Sequence, residues 1–238
     1  MWEQWWAGLD GTSGEIVWDA GPADLEADLG CFADSVNPAL PLVDFGCGDG
    51  RQTRFLAGHF PHVVGVDISS AAIRRARAAD NPPNVAFQVL DARDPDGAAG
   101  LHDELGDTNV YIRGMLQALP PASRPGAVEA IAALLGAAGT LFAKELPPRA
   151  NSYFADMTQR HGLSPGLARV MRLIPPGQIS EHELVSLFPA ERFEVLSTGT
   201  SHMHTAHTWP DGEVIRVPAI WILTRPGEMA NGRGHTTG

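Results

Sequence analysis

From Leu42 to Gly50 the chain reads Leu-Val-Asp-Phe-Gly-Cys-Gly-Asp-Gly, an Asp44-x-Gly46-x-Gly48-x-Gly50 frame followed by helix-forming residues from Arg51. Alternate glycines let a backbone turn sharply and approach a ligand with no Cβ in the way. The helix that follows is expected to present free N–H groups to a carboxylate or phosphate. Asp67 and Asp91 close two later apolar runs, 23 and 24 residues apart in series with Asp44. Carboxylates there could serve as helix caps, but capping leaves the glycines unexplained. A dinucleotide loop wants Gly-x-Gly-x-x-Gly, whose third glycine permits close helix–strand packing; that position here is Arg51. A second cluster, His202-Met-His204-x-x-His207, sets two imidazoles on one side of a strand, a spacing that suits proton transfer or zinc. No metal is expected; an exposed histidine face on an edge strand is common, and a substrate contact or proton acceptor is the functional alternative for these histidines.

These residues need a scaffold, and the pattern around them supplies one. Runs at 42–44, 63–67, 85–91, 109–112 and 140–143 are strand-like, and helical segments such as 52–59, 70–79 and 124–135 lie between most of them. One strand plus a crossover helix fits the aspartate spacing, so an α/β doubly wound sheet is expected, with Asp44, Asp67 and Asp91 lining one crevice at the carboxyl edge. Three segments fall outside the period. Residues 1–38 hold Trp2, Trp5, Trp6 and Trp18 and read as an aromatic helical lid. Residues 39–145 form the core, 146–192 a cap inserted after the fifth strand, and 193–225 a closing hairpin turned at Trp209-Pro-Asp-Gly212. The tail, 226–238, is too polar and glycine-rich to pack.

Composition narrows the partners. With 17 basic and 28 acidic residues the formal charge is −11, which disfavours nucleic acid and anionic membranes. Cys31 and Cys47 are the only cysteines and Lys144 the only lysine, so neither a disulfide framework nor a CxxC site is available. The start, Met1-Trp-Glu-Gln4, lacks a signal-peptide pattern, and a cytoplasmic protein is expected.

The glycine frame resembles motif I of the class I S-adenosylmethionine (SAM) methyltransferases. The phrase from Asp44 to Ala57, continued by Val64-Gly-Val-Asp-Ile-Ser69 and Ala71-Ala-Ile-Arg-Arg-Ala-Arg77, is similar to the start of small-molecule methyltransferases of bacterial secondary metabolism. The likeness covers roughly residues 38–145 and, more weakly, the hairpin. It implies a Rossmann-like seven-stranded sheet with SAM as cofactor. Asp44, Gly46, Cys47, Gly48, Gly50 and Thr53 would form the loop site. Asp67 would accept from both ribose hydroxyls, Ile68 would pack on the adenine, and Asp91 with Ala92 would meet the adenine amino group. The backbone of Arg113 would complete the pocket.

After the fourth strand, Tyr111-Ile-Arg-Gly-Met-Leu-Gln117 lacks the Asn/Asp-Pro-Pro-aromatic sequence of many amino-group and base methyltransferases, so DNA-base and glutamine-amide methylation lose support. Arg113, Trp18, Tyr153 and Met157 are expected to contact a flat, largely hydrophobic acceptor. Glu145, His161 and His204 are the candidate catalytic bases, Glu145 because it follows the fifth strand. The reaction expected is O- or N-methylation of a small aromatic or hydrophobic metabolite by in-line transfer. Two alternatives share the pattern: another SAM chemistry, such as aminopropyl transfer or a cofactor-assisted cyclisation, and a non-catalytic SAM-binding partner.

Overall fold

The computed structural model describes residues 1–9, 16, 18, 21–162, 179–208 and 214–227, without the His161 side chain. Strands β1 (Leu42–Phe45), β2 (Val63–Asp67), β3 (Val85–Val89), β4 (Asn109–Arg113) and β5 (Leu141–Glu145) are followed by two long strands, β6 (Phe193–Thr208) and β7 (Val214–Pro226). They form one seven-stranded sheet in the order β3-β2-β1-β4-β5-β7-β6. The first five are parallel. β7 runs antiparallel to β5, and β6 antiparallel to β7, which returns β6 to the direction of the parallel strands. The expected doubly wound sheet with its closing hairpin is therefore present. The expected hairpin turn at 209–212 and the tail from 228 lie outside the described residues.

Eight helices are described: α1 (Trp2–Ala7), α2 (Pro22–Phe32), α3 (Arg51–Leu56), α4 (Ser70–Ala78), α5 (Pro95–Leu105), α6 (Arg124–Leu135), α7 (Arg149–His161) and α8 (Glu181–Ser186). Their starts are chemically marked. Ser69 Oγ accepts from Ala72 N at 3.2 Å before α4, Asp94 Oδ1 from Gly97 N at 3.0 Å around the first turn of α5, and Ser180 with Glu183 forms a reciprocal capping box on α8.

Both faces of the sheet are apolar, as a buried parallel sheet requires. Val43, Val64, Val110 and Ile112 face α5 and α6 on one side, while Leu42, Tyr111 and Phe142 meet Phe32 of α2 and Leu56 of α3 on the other. Each such fully buried side chain contributes about 1.5–3 kcal/mol. The core assigns some segments differently from the sequence pattern. In the 146–192 stretch, α7 packs with Trp5 and Trp6, but Ile179, Leu184 and Phe188 are buried in the central core. The final part of that stretch is thus a core helix rather than cap. In the 1–38 stretch, Leu25 and Phe32 bury α2 against the sheet, so only the residues before α2 are free to cover a ligand. Among the described residues, no helix is long and apolar enough to cross a membrane.

Candidate active site

Strand order reverses between β1 and β4, and in open α/β sheets ligands lie outside the carboxyl ends of the strands at such a switch point. A cavity of about 500 Å³ occupies that place. At one end stand Asp67, Ile68, Asp91 and Ala92; the glycine loop from Gly46 to Asp49 crosses the middle; Trp18, Met115, Gln117, Leu146 and Phe154 wall the other end. Helix α1 roofs it with Trp2, Trp5 and Trp6.

The loop uses its own N–H groups internally. Gly46 N and Cys47 N donate to Val66 O at 2.8 and 2.9 Å, Gly50 N to Cys47 O at 3.0 Å, and Gly48 N to Asp67 Oδ2 at 3.0 Å. These bonds engage the loop itself; the helix N–H groups expected to face a ligand begin after it, at Arg51. What the loop offers is close approach. Gly48 adopts φ +57°, and a Cβ there would meet the Trp6 ring at 2.7 Å, so α1 lies directly on the glycines.

Asp67 also accepts from Ser69 N at 2.8 Å. A carboxylate has about four lone-pair positions, and two backbone donors leave two for hydroxyls of a ligand. Next to it Ile68 is 43% exposed, a large apolar surface facing the cavity where a flat base can lie. Asp91 is gripped by Arg93 through Nε at 2.9 Å and a second guanidinium nitrogen at 2.6 Å, which with burial opposing holds its carboxyl below the usual range.

Asp44 and Thr53, expected at the loop site, stand behind the loop in this structure. Their carboxylate and hydroxyl bond each other at 2.6 Å, both fully buried, and neither they nor Gly50 lines the cavity. They brace the loop from behind. Burial pushes the Asp44 carboxyl up to about 7, against the pull of Thr53.

Arg113 is likewise redirected. Its guanidinium pairs with Asp24 of α2 and donates to Trp18 O at 3.0 Å, with the side chain only 3% exposed. Two of its guanidinium nitrogens are thus engaged within the protein, and the residue also lines the cavity. Around it is a buried network the sequence pattern did not signal. Lys144 Nζ reaches Asp24 Oδ1 at 3.2 Å and Asp28 Oδ1 at 2.6 Å, and Tyr111 donates to Asp28 Oδ2 at 2.7 Å. Asp24 Oδ2 also accepts from His204 N at 3.0 Å. Residues four apart on α2 share a helix face, and Tyr111 and Arg113 share a strand face, so the elements could have been matched only once their packing was known.

The candidate bases are not brought together. Glu145 is fully buried and accepts from Leu116 N at 2.9 Å and Gln117 N at 3.0 Å. It holds the loop after β4 and is not at the cavity wall. Burial raises its carboxyl to about 7 against those two donors. His204 is half-buried on β6 and does not line the cavity; burial lowers its pKa. The His161 side chain lies outside the described residues. Tyr153 and Met157 pack in the apolar cluster around Trp5 and Trp6, and Phe154 is the α7 residue that reaches the cavity. Residues missed from sequence include Glu3, which accepts from Ser69 Oγ at 2.8 Å, Ser70 Oγ at 2.9 Å and Ala71 N at 3.0 Å. Among the described residues, no group of three or more His, Cys, Asp or Glu is placed to hold a metal.

With this geometry in hand, comparisons with known proteins are specific. A family profile described as "Methyltransferase domain" matches residues 42–139. The crystal structure of a SAM-dependent methyltransferase from Anabaena variabilis is 33% identical, covers 95% of this chain and 93% of its own, and superposes with a TM-score of 0.87. The chain belongs to the SAM-dependent methyltransferases. A trans-aconitate 2-methyltransferase of Deinococcus radiodurans is 36% identical over 85 residues, which are 35% of this chain and 30% of that protein. The chain thus matches less than a third of that curated relative's length. The N-methyltransferase NodS from Bradyrhizobium japonicum, solved with S-adenosylhomocysteine (SAH), is 13% identical over 87% of this chain and 85% of its own, with a TM-score of 0.55, and shares the fold.

Proposed function

We propose that the protein transfers the methyl group of SAM to a small, largely apolar and aromatic acceptor, on oxygen or nitrogen, by in-line displacement. The observation that carries this is a cavity of about 500 Å³ with nucleoside-type groups at one end and an aromatic chamber at the other. Asp67 offers its two remaining lone-pair positions to the ribose hydroxyls, Ile68 packs on the adenine, and Asp91 with Ala92 meets the adenine edge. The glycine loop and the Arg113 backbone run beside the amino-acid portion. Bound SAM supplies an already activated methyl group on a sulfonium, so the chain's task is positioning and exclusion of water. Trp2, Trp5, Trp6 and Trp18 cover the site as a lid, and Phe154 and Leu146 shape the acceptor end.

The acceptor differs, in this reading, from the aconitate named for the curated relatives. Arg93 and Arg113, the arginines at the cavity wall among the described residues, are already paired with Asp91 and Asp24, which favours an uncharged molecule over a polyanion. A cytoplasmic role in bacterial secondary metabolism belongs to the same proposal and rests on the sequence resemblance. SAH release should be measured from SAM with panels of phenols, nitrogen heteroaromatics and tricarboxylic acids. Turnover with an aromatic panel supports the proposal; turnover with tricarboxylates alone contradicts it.

A further inference from the structure

The loop after β4 is tied to the end of β5 by three bonds. Glu145 accepts from Leu116 N and Gln117 N, and Gln117 Oε1 accepts from Leu146 N. The third bond orients the amide. Leu146 N–H needs an acceptor, and only the amide oxygen of Gln117 supplies one, so Nε2 points the other way. Gln117 is 4% exposed and lines the cavity, and among the described residues no atom accepts from its Nε2. That nitrogen stands 3.5 Å from the position a Gly114 Cβ would take. It therefore lies just past the carboxyl end of β4, next to the aromatic chamber and across the crevice from Asp67 and Asp91.

The amide is held rigid through its oxygen, while its nitrogen is not among the buried unpartnered atoms and opens to the cavity, where a ligand oxygen can replace water as its acceptor. We propose that Gln117 reads the methyl acceptor: its Nε2 donates a hydrogen bond to an oxygen lone pair of a carbonyl, enol or phenol beside the methylated atom. The inference rests on the methyl-transfer reading and specifies its substrate class as oxygen-bearing. A site built to hydrogen-bond a substrate oxygen discriminates against an analogue lacking it, because its own polar group is then left unpaired. Glu145 is a positioning residue for Gln117, since it fixes the backbone from which the amide projects.

The test uses SAH-saturated protein and two probes of matched shape, acetophenone and α-methylstyrene, which differ by C=O against C=CH2, titrated by ligand-observed NMR. Wild type should prefer acetophenone by about fivefold, as one net hydrogen bond allows. Gln117→Met and Gln117→Leu each remove the donor while leaving an apolar side chain of similar bulk. The preference should vanish in each, with SAH affinity preserved. No preference in wild type, or a preference that survives both substitutions, overturns the proposal. So does a parallel loss of SAH affinity, which would assign Gln117 to the cofactor. Failure of SAH to bind wild type would remove the cofactor reading itself, and this inference with it.

Discussion

At the scale of single residues, the account turns on how many hydrogen bonds each carboxylate has left to give. Asp67 is half-engaged by Gly48 N and Ser69 N, and its free positions face the cavity. Asp67→Ala should remove two charge-assisted bonds to the ribose, each worth roughly 1.5–3 kcal/mol, and strand two backbone donors. SAH affinity should fall at least about tenfold, measured by calorimetry; an unchanged dissociation constant would place the nucleoside elsewhere. Glu145 has no such capacity, because both oxygens serve backbone donors. Its folded carboxyl keeps its proton up to about pH 7, whereas the unfolded one ionises near 4.5. Stability from this group is therefore greatest below about 4.5, declines as pH rises towards 7 and is level above. Glu145→Gln should flatten that slope in melting curves taken from pH 5 to 8 and lower overall stability, while leaving the pH profile of turnover without a lost basic group. Loss of a kinetic titration would restore it as a catalytic base. That Asp67 lines the cavity and Glu145 does not is a matter of direction. Asp67 ends β2 beside the glycine loop after β1, whose Gly48 N holds one of its oxygens, whereas Glu145, ending β5, folds back onto the loop after β4.

At the scale of elements, α1 and α2 are fastened to the sheet by opposite means. Helix α1 rests its tryptophans on the cavity and is latched by Glu3 to the first turn of α4, directly after Asp67 and Ile68. Three donors, Ala71 N first, hold the Glu3 carboxyl at about 2, so the latch persists across ordinary pH and is lost only as pH falls through that value. Glu3→Ala should speed SAH release in stopped-flow displacement and raise hydrogen exchange in residues 2–7, while the sheet stays protected. Equal release rates would make α1 ordinary packing. Helix α2 is held by buried charge: burial pushes the Asp24 carboxyl up, and Arg113 and Lys144 more than offset this. Removing one partner of such a set leaves an uncompensated charge, so Asp24→Asn should cost about 3–5 kcal/mol, read as a lower denaturant midpoint. Because the Asp24 pKa is depressed, its contribution is present above the ordinary carboxylate range and fades as pH falls through the lowered value. None of this network could be read from the chain, since Lys144 meets partners 116 and 120 residues away. The spacing of Trp2, Trp5 and Trp6, by contrast, did announce a helix that packs by one face, because a helix carries its periodicity in the sequence itself.

In the whole molecule, the strand order and its reversal between β1 and β4 place Asp67, Ile68 and Asp91 on one side of the crevice and the aromatic chamber with Gln117 on the other. Strand periods and glycine spacing made that arrangement legible, since they are local. The division of 146–192 between cap and core was not, because Leu184 and Phe188 declare their side only by packing. The whole account requires a SAM site of ordinary affinity closed by α1, and titration calorimetry of the intact chain with SAH, with NAD as control, tests this most directly. One SAH per chain with a dissociation constant of micromolar order, about −8 kcal/mol, and no heat from NAD is the expected result; binding of NAD without SAH would contradict the account.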